Sequence, residues 1–206
     1  EDVALVLEAF ERRPRKTSVV AVRGTNDGGG LAIAVIPRFA RNGARGIRDR
    51  SKRLTVALAT AHIPLMDLRN LLTIGKVFDP IDIGHRFLKD LGITSPKIAV
   101  CGLNPHAGEN GILGDEDDRL IKPAIEMARN AGIDANGPFP ADTIFISAAE
   151  GKWDLVVAMY HDQGLIPVKL LGWRDAVNVT TGTQIIRTSP DHGTAYDIAA
   201  KYTADP

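Results

Sequence analysis

The chain has 206 residues, 44% of them hydrophobic and 24% charged, with a mean hydropathy of −0.04. This excludes a disordered or fibrous polymer and leaves room for one large domain, or one domain with part of a second. The 25 basic and 25 acidic residues cancel overall, yet residues 1–53 hold 12 basic and 6 acidic side chains and residues 54–206 hold 13 and 19, so the first quarter is chemically unlike the rest.

An Arg-rich start can mark a transit peptide or a nucleic-acid arm. Acidic residues from Glu1 onward argue against the first, and the lack of aromatics interleaved with the arginines argues against the second. The longest apolar run, Leu155 to Tyr160, has strand length, so no membrane partner is expected. One cysteine, Cys101, excludes an intrachain disulfide framework and a cysteine-based zinc cluster, and a reducing, cytoplasmic setting follows.

In chain order, Val3, Val6, Leu7 and Phe10 recur at helical spacing behind Asp2, and Pro14 ends that helix. Ser18–Val22 and Leu31–Ile36 read as strands. Gly28-Gly29-Gly30 between them matches neither phosphate-loop spacing and reads as a turn. Residues 38–53 lack apolar periodicity and read as loop. From Leu54 onward strands and helices alternate, which predicts a mostly parallel sheet covered by helices. The predicted strands are Leu54–Thr60, Lys97–Leu103, Leu155–Tyr160 and Val177–Thr180. The predicted helices are Leu65–Leu72, Pro80–Leu91, Asp117–Ala131 with Gly132 as its stop, and a short one after Thr194.

Three of the five histidines share a position type. His62, His106 and His161 each follow a predicted strand within a few residues. In open α/β sheets ligands bind outside the carboxyl ends of the strands, so parallel strands would set all three imidazoles on the rim of one crevice. Three neutral imidazoles with one open position suit a catalytic divalent ion; alternatively each simply hydrogen-bonds a turn, since separations of 44 and 55 residues match no local metal motif. His85 lies inside a predicted helix and is assigned no chemical role. Asp162 either orients the His161 imidazole or caps the turn. Lys169, Asn178 and Arg187 interrupt apolar runs, which calls for an anionic substrate group, an internal ion pair or a snorkelling edge position.

With these residues in view, Leu54–Pro206 resembles the 4-hydroxythreonine-4-phosphate dehydrogenase family of pyridoxal phosphate biosynthesis. The matching stretches are Ala-Thr-Ala-His62-Ile-Pro-Leu, Cys-Gly-Leu-Asn-Pro-His106-Ala-Gly-Glu, Asn-Gly-Pro-Phe-Pro-Ala-Asp142-Thr, Met-Tyr-His161-Asp-Gln-Gly-Leu and Arg187-Thr-Ser-Pro-Asp-His192-Gly-Thr. The resemblance implies a three-layer α/β/α fold of the isopropylmalate dehydrogenase type. It implies one divalent ion (Zn, Mg or Co) on His62, His106 and His161, with ligands shared across a homodimer. By the same resemblance Lys169, Asn178 and Arg187 contact substrate and Asp142 and Lys169 are the candidate bases; the tail from His192 also resembles the adenosine-side loop of the related isopropylmalate and isocitrate dehydrogenases, which implies that His192, Gly193, Thr194, Ala195 and Asp197 contact NAD or NADP. The implied reaction oxidises 4-phosphooxy-L-threonine to a β-keto acid that loses CO₂. A related threonate or erythronate 4-phosphate substrate and a non-catalytic, metal-binding dimeric remnant are the alternatives.

Two family segments have no counterpart in these residues: an opening Gly-Asp/Glu-Pro-Ala-Gly-Ile-Gly-Pro and an internal Gly-His-Thr-Glu, where the chain reads Ala40-Arg-Asn-Gly-Ala-Arg-Gly-Ile-Arg-Asp49. The expectation is a family member shortened at both ends. Residues 1–53 would be a diverged or truncated part of the first domain, 54–182 the metal, substrate and dimerisation domain, and 183–206 a return segment to the first domain.

Overall fold

A computed structural model describes residues 54–172, which form the body of the fold, together with Val19–Val20, Leu31–Val35, 176–181, 187–190, 196–199, 201 and 203. The helix expected over Val3–Phe10, the triple-glycine turn and the loop over 38–53 lie outside the described residues.

Among the described residues eight strands form one sheet: β1 (Val19–Val20), β2 (Leu31–Val35), β3 (Thr55–Leu58), β4 (Lys97–Cys101), β5 (Asp134–Phe139), β6 (Leu155–Ala158), β7 (Val177–Thr181) and β8 (Arg187–Pro190). Their order across the sheet is β5-β4-β6-β3-β2-β7-β8, with β1 alongside β2. The half β5-β4-β6-β3 is parallel, and β2, β7 and β8 extend it antiparallel. Every residue of β3 and β6, and β4 after Lys97, is buried. Strands buried on both faces need cover on both, the condition of a three-layer α/β domain. The continuous apolar runs that predicted these strands have this cause.

Helix α1 (Leu68–Leu71) follows a 3-10 turn at Leu65–Asp67, and α2 (Ile74–Asp90) starts at Thr73, whose hydroxyl accepts from the Lys76 N–H at 3.2 Å. The expected helix from Asp117 exists as a π turn (Asp117–Ile121) running into α3 (Lys122–Asn130), with Gly132 at φ +81° just beyond. Pro123 falls in the first turn of α3, where its missing N–H would have no partner within α3 in any case. A 3-10 turn at Tyr196–Ile198 corresponds to the short helix expected after Thr194.

Four elements were not predicted, β8 being one of them. Strand β5 is spelled Asp-Ala-Asn-Gly-Pro-Phe, a poor strand sequence that survives at the sheet edge, where only one side needs a partner. Helix α4 (Ala141–Ala149) follows it. Helix α5 (His161–Gly172) contains Gly164 and Pro167, which read as breakers. The glycine has a packing cause. A Cβ at Gly164 would stand 2.5 Å from Leu58 Cδ2 and 2.9 Å from Val56 Cγ1, so only hydrogen lets α5 lie this close to β3. Gly164→Ala is therefore expected to cost about 1–3 kcal/mol through overpacking. That is a Tm lowered by about 2–10 °C for a chain this size, readable by calorimetry.

Candidate active site

The C-terminal ends of β3, β6 and β4 lie side by side, and each is followed by one of the three histidines. The placement after adjacent parallel strands that the sequence suggested is thus present for all three positions. The imidazoles of His62 and His161 meet across the β3–β6 boundary, with ring centroids 5.4 Å apart and planes inclined by 43°. Both rings line a cleft of about 340 Å³ formed with Ala61, Ile63, Leu65, Leu68 and Tyr160. His161 Nδ1–H donates to Asp162 Oδ1 at 2.7 Å, which leaves Nε2 available to an incoming group. Between the readings left open for Asp162, this contact selects the one in which its carboxylate orients the imidazole.

His106 does not join the pair. Among the described residues no three His, Cys, Asp or Glu side chains converge tightly enough to hold an ion. His106 is exposed, with Glu109 Oε2 at 3.4 Å as its nearest polar partner among the described residues, on a turn whose backbone is left-handed for five consecutive residues. His106, Ala107, Gly108, Glu109 and Asn110 have φ between 43° and 80°. Left-handed backbone costs about 1–2 kcal/mol per L-residue, less for Asn, and Gly108 alone is free of it. Something must hold the turn.

The strand ends are tied together by three buried polar side chains. Thr60 Oγ1, just past β3, donates to the Met159 carbonyl just past β6 at 2.7 Å. Gln163, on the first turn of α5, accepts from the Met159 N–H through Oε1 at 2.6 Å and donates through Nε2 to the Gly102 carbonyl after β4 at 2.9 Å. Asp117 is fully buried; its Oδ1 accepts from the Leu103 N–H at 2.8 Å, and its Oδ2 from the Asn104 N–H and Asn104 Nδ2, both at 3.0 Å. None of the three was singled out from the sequence. Asp117 carried a readable signal, because it heads the apolar stripe Leu120, Ile121, Ala124, Ile125, Ala128, where a carboxyl group must be buried.

Asn104 Nδ2 also donates to Glu116 Oε2 at 2.9 Å, and this bond, chiefly, holds the Glu116 carboxyl below its ordinary range. A carboxyl lowered in the fold adds stability that is complete above its unfolded pKa and disappears as pH falls through the folded value. Asn104→Ala should move Glu116 titration upward, as carboxyl carbon NMR across acidic pH would record. An unchanged titration curve would refute this cause.

The remaining candidates take different places. Asp142 is exposed on the first turn of α4, directly after β5, and so stands at the same sheet edge beyond His106. Lys169 is half-buried on α5, eight residues after His161 and about 12 Å along the helix axis. It borders a groove of about 430 Å³ that also reaches His161, Asp162, Leu165, Ile166 and Leu170. Asn178 is half-buried in β7 opposite Ser189. Since β7 opposes β2 and β2 opposes β3, β7 runs with β3, and Arg187, paired with Thr180, lies at the histidine edge. Three strand spacings, about 14 Å, separate that position from β3. Of the cofactor candidates, His192, Gly193, Thr194 and Ala195 lie outside the described residues, and Asp197 falls within the Tyr196–Ile198 turn. The Cys101 thiol is buried in β4, and burial pushes its pKa up, so it is an inert core residue. No helix among the described residues is long and apolar enough to cross a membrane.

The donor chemistry fits a divalent ion. Two imidazoles face one cleft, one has its ring oriented by a carboxylate, and imidazole suits Zn²⁺ or Co²⁺ better than Mg²⁺, which prefers oxygen.

Residues 48–206 match the family model described as pyridoxal phosphate biosynthetic protein PdxA. A 4-hydroxythreonine-4-phosphate dehydrogenase from Desulforapulum autotrophicum is 54% identical over 155 residues, covering 75% of this chain and 46% of the relative. A D-threonate 4-phosphate dehydrogenase from Salmonella typhimurium is 54% identical over 147 residues, 71% of this chain and 45% of the relative. Among solved structures, a 4-hydroxythreonine-4-phosphate dehydrogenase from Klebsiella pneumoniae superposes with a TM-score of 0.69 at 44% identity, over 82% of this chain and 47% of that one. The chain spans about half the length of the curated relatives it matches.

Proposed function

Because the chain belongs to the PdxA family of pyridoxal phosphate biosynthetic proteins, we propose that it carries the metal and substrate half of an NAD(P)-dependent, decarboxylating dehydrogenase of phosphorylated hydroxy acids. The observation that carries this reading is the His62–His161 pair at the ends of adjacent parallel strands, with Asp162 behind His161. The substrate is 4-phosphooxy-L-threonine, and the product after loss of CO₂ is 3-amino-2-oxopropyl phosphate. D-threonate 4-phosphate is the second reading, favoured by a relative of that name at the same 54% identity.

When bound, a divalent ion supplies Lewis acidity toward the hydroxyl and carboxylate oxygens of such a substrate, and the nicotinamide supplies the hydride acceptor. His62, His161 and His106 would hold the ion, with His106 and the pair coming from different subunits of a homodimer. Exposed Leu65 and Met66 beside one cleft, and Ile166 and Leu170 beside the other, support an apolar subunit contact around the site. Asp142 or Lys169 takes the hydroxyl proton as hydride leaves the same carbon. Lys169, Asn178 and Arg187 bind the carboxylate and phosphate, and His192 through Asp197 contact the dinucleotide. A cytoplasmic location agrees with the buried free thiol.

The test is a purified chain titrated with Zn²⁺ or Co²⁺ and then assayed for NAD(P)H absorbance on 4-phosphooxy-L-threonine and on D-threonate 4-phosphate. Turnover of the first supports the main reading, and turnover of the second alone selects the alternative. Metal binding without turnover of either, in a dimer, would make the chain a non-catalytic remnant.

A further inference from the structure

The left-handed turn bearing His106 is wound around one side chain. The Asp117 carboxyl is fully buried and takes the two successive backbone N–H groups, of Leu103 and Asn104, that lead into the turn. The Asn104 side chain returns to the same oxygen, and no ion pair reaches Asp117 among the described residues. The walls around the carboxyl have been stripped of side chains. A Cβ at Gly102 would lie 2.7 Å from Asp117 Oδ1 and equally close to Ala107 Cα. One at Gly108 would lie 3.3 Å from Asp117 Oδ2 and 2.9 Å from the Gly114 carbonyl. The turn closes on itself through Ala107 N–H to Asn104 O and Leu113 N–H to Gly108 O, each at 3.0 Å.

A buried carboxyl that fixes the entry of a strained turn, with glycines on both sides to admit it, has a directional task. Left-handed residues persist only where their surroundings over-determine them. We propose that Asp117 is a positioning residue for His106: by holding the Leu103 and Asn104 amides it keeps residues 106–110 left-handed and so sets where the His106 imidazole is presented. The inference rests on the proposed metal site for its consequence, but not for the turn itself.

The test uses the full chain with Asp117→Asn, Asn104→Ala and, as a control, Asp118→Asn, an exposed neighbour paired with Lys122. In metal-free protein, carbon chemical shifts and the intraresidue Hα–HN NOE of residues 106–110 report the left-handed backbone directly. Zinc titration by calorimetry reports presentation of the imidazole. For Asp117→Asn we expect loss of the left-handed signature at 106–110, unchanged shifts across Lys122–Asn130, and zinc affinity lower by about 10–100-fold, the size seen for partners that orient a ligand. Asn104→Ala should give a smaller change in the same residues, and Asp118→Asn none. A folded Asp117→Asn variant that keeps the signature at 106–110 overturns the proposal, whatever its melting temperature. If Asp117→Asn does not fold, unchanged shifts at 106–110 in Asn104→Ala overturn it. Wild-type protein that binds no zinc would sink the metal reading alone, while the backbone measurement still decides the role of Asp117.

Discussion

On the proposed function, His161→Ala is expected to abolish turnover while leaving the chain folded, because a catalytic ion that loses a ligand is no longer held in place. Among the described residues the side chain hydrogen-bonds Asp162 and faces the His62 ring on an open cleft, so truncation opens no core cavity and Tm should shift by little. Losing one of the imidazoles should lower zinc affinity by more than the roughly 100-fold ceiling for losing an orienting partner. His62→Ala should behave alike, and Asp162→Asn should fall between them and wild type, because an amide still accepts from Nδ1–H but weakly. Calorimetric zinc titration and NAD(P)H absorbance on the same preparations check this. Unchanged zinc binding in both histidine variants would exclude the site.

Gln163→Leu should produce the larger loss of stability. It leaves the Met159 N–H and the Gly102 carbonyl without their buried partner, at about 1–3 kcal/mol for each group. A total near 3 kcal/mol corresponds to a Tm lower by about 10 °C. The damage should also be local, because Gln163 joins the end of β6 to the end of β4. Amide exchange should accelerate around residues 102–104 and 159–163 before it does in α3. A Tm within 2 °C of wild type, roughly the effect of under 1 kcal/mol, would show that the tie is not holding these ends.

What the sequence disclosed followed the physics of each element. β3, β4 and β6 are buried on both faces, so apolar character is continuous and their positions could be read directly. β5 and α5 were missed because the residues that make them possible, the Gly-Pro of an edge strand and the glycine pressed against Leu58, carry propensities opposite to the structures they form. The histidines were legible as a set through their shared place after strands. That His62 and His161 would meet while His106 sat apart on a left-handed turn was not, because Asp117 and Gln163 fix this through hydrogen bonds 13 to 61 residues long in sequence. No local pattern records such bonds.

The span of those ties bears on how the molecule comes into being. Thr60 reaches a carbonyl 99 residues away and Gln163 one 61 residues away, across the centre of the sheet. Closing loops of that length is entropically slow and comes after local helices have formed, so the ends of β3, β4 and β6 are aligned only when β6 has inserted between its two neighbours. During synthesis nothing upstream of α5 can complete the cleft. On the proposed site, an ion could be captured there only after β6 has inserted and two such chains have paired, so a nascent or misregistered chain would lack the ligands to hold one.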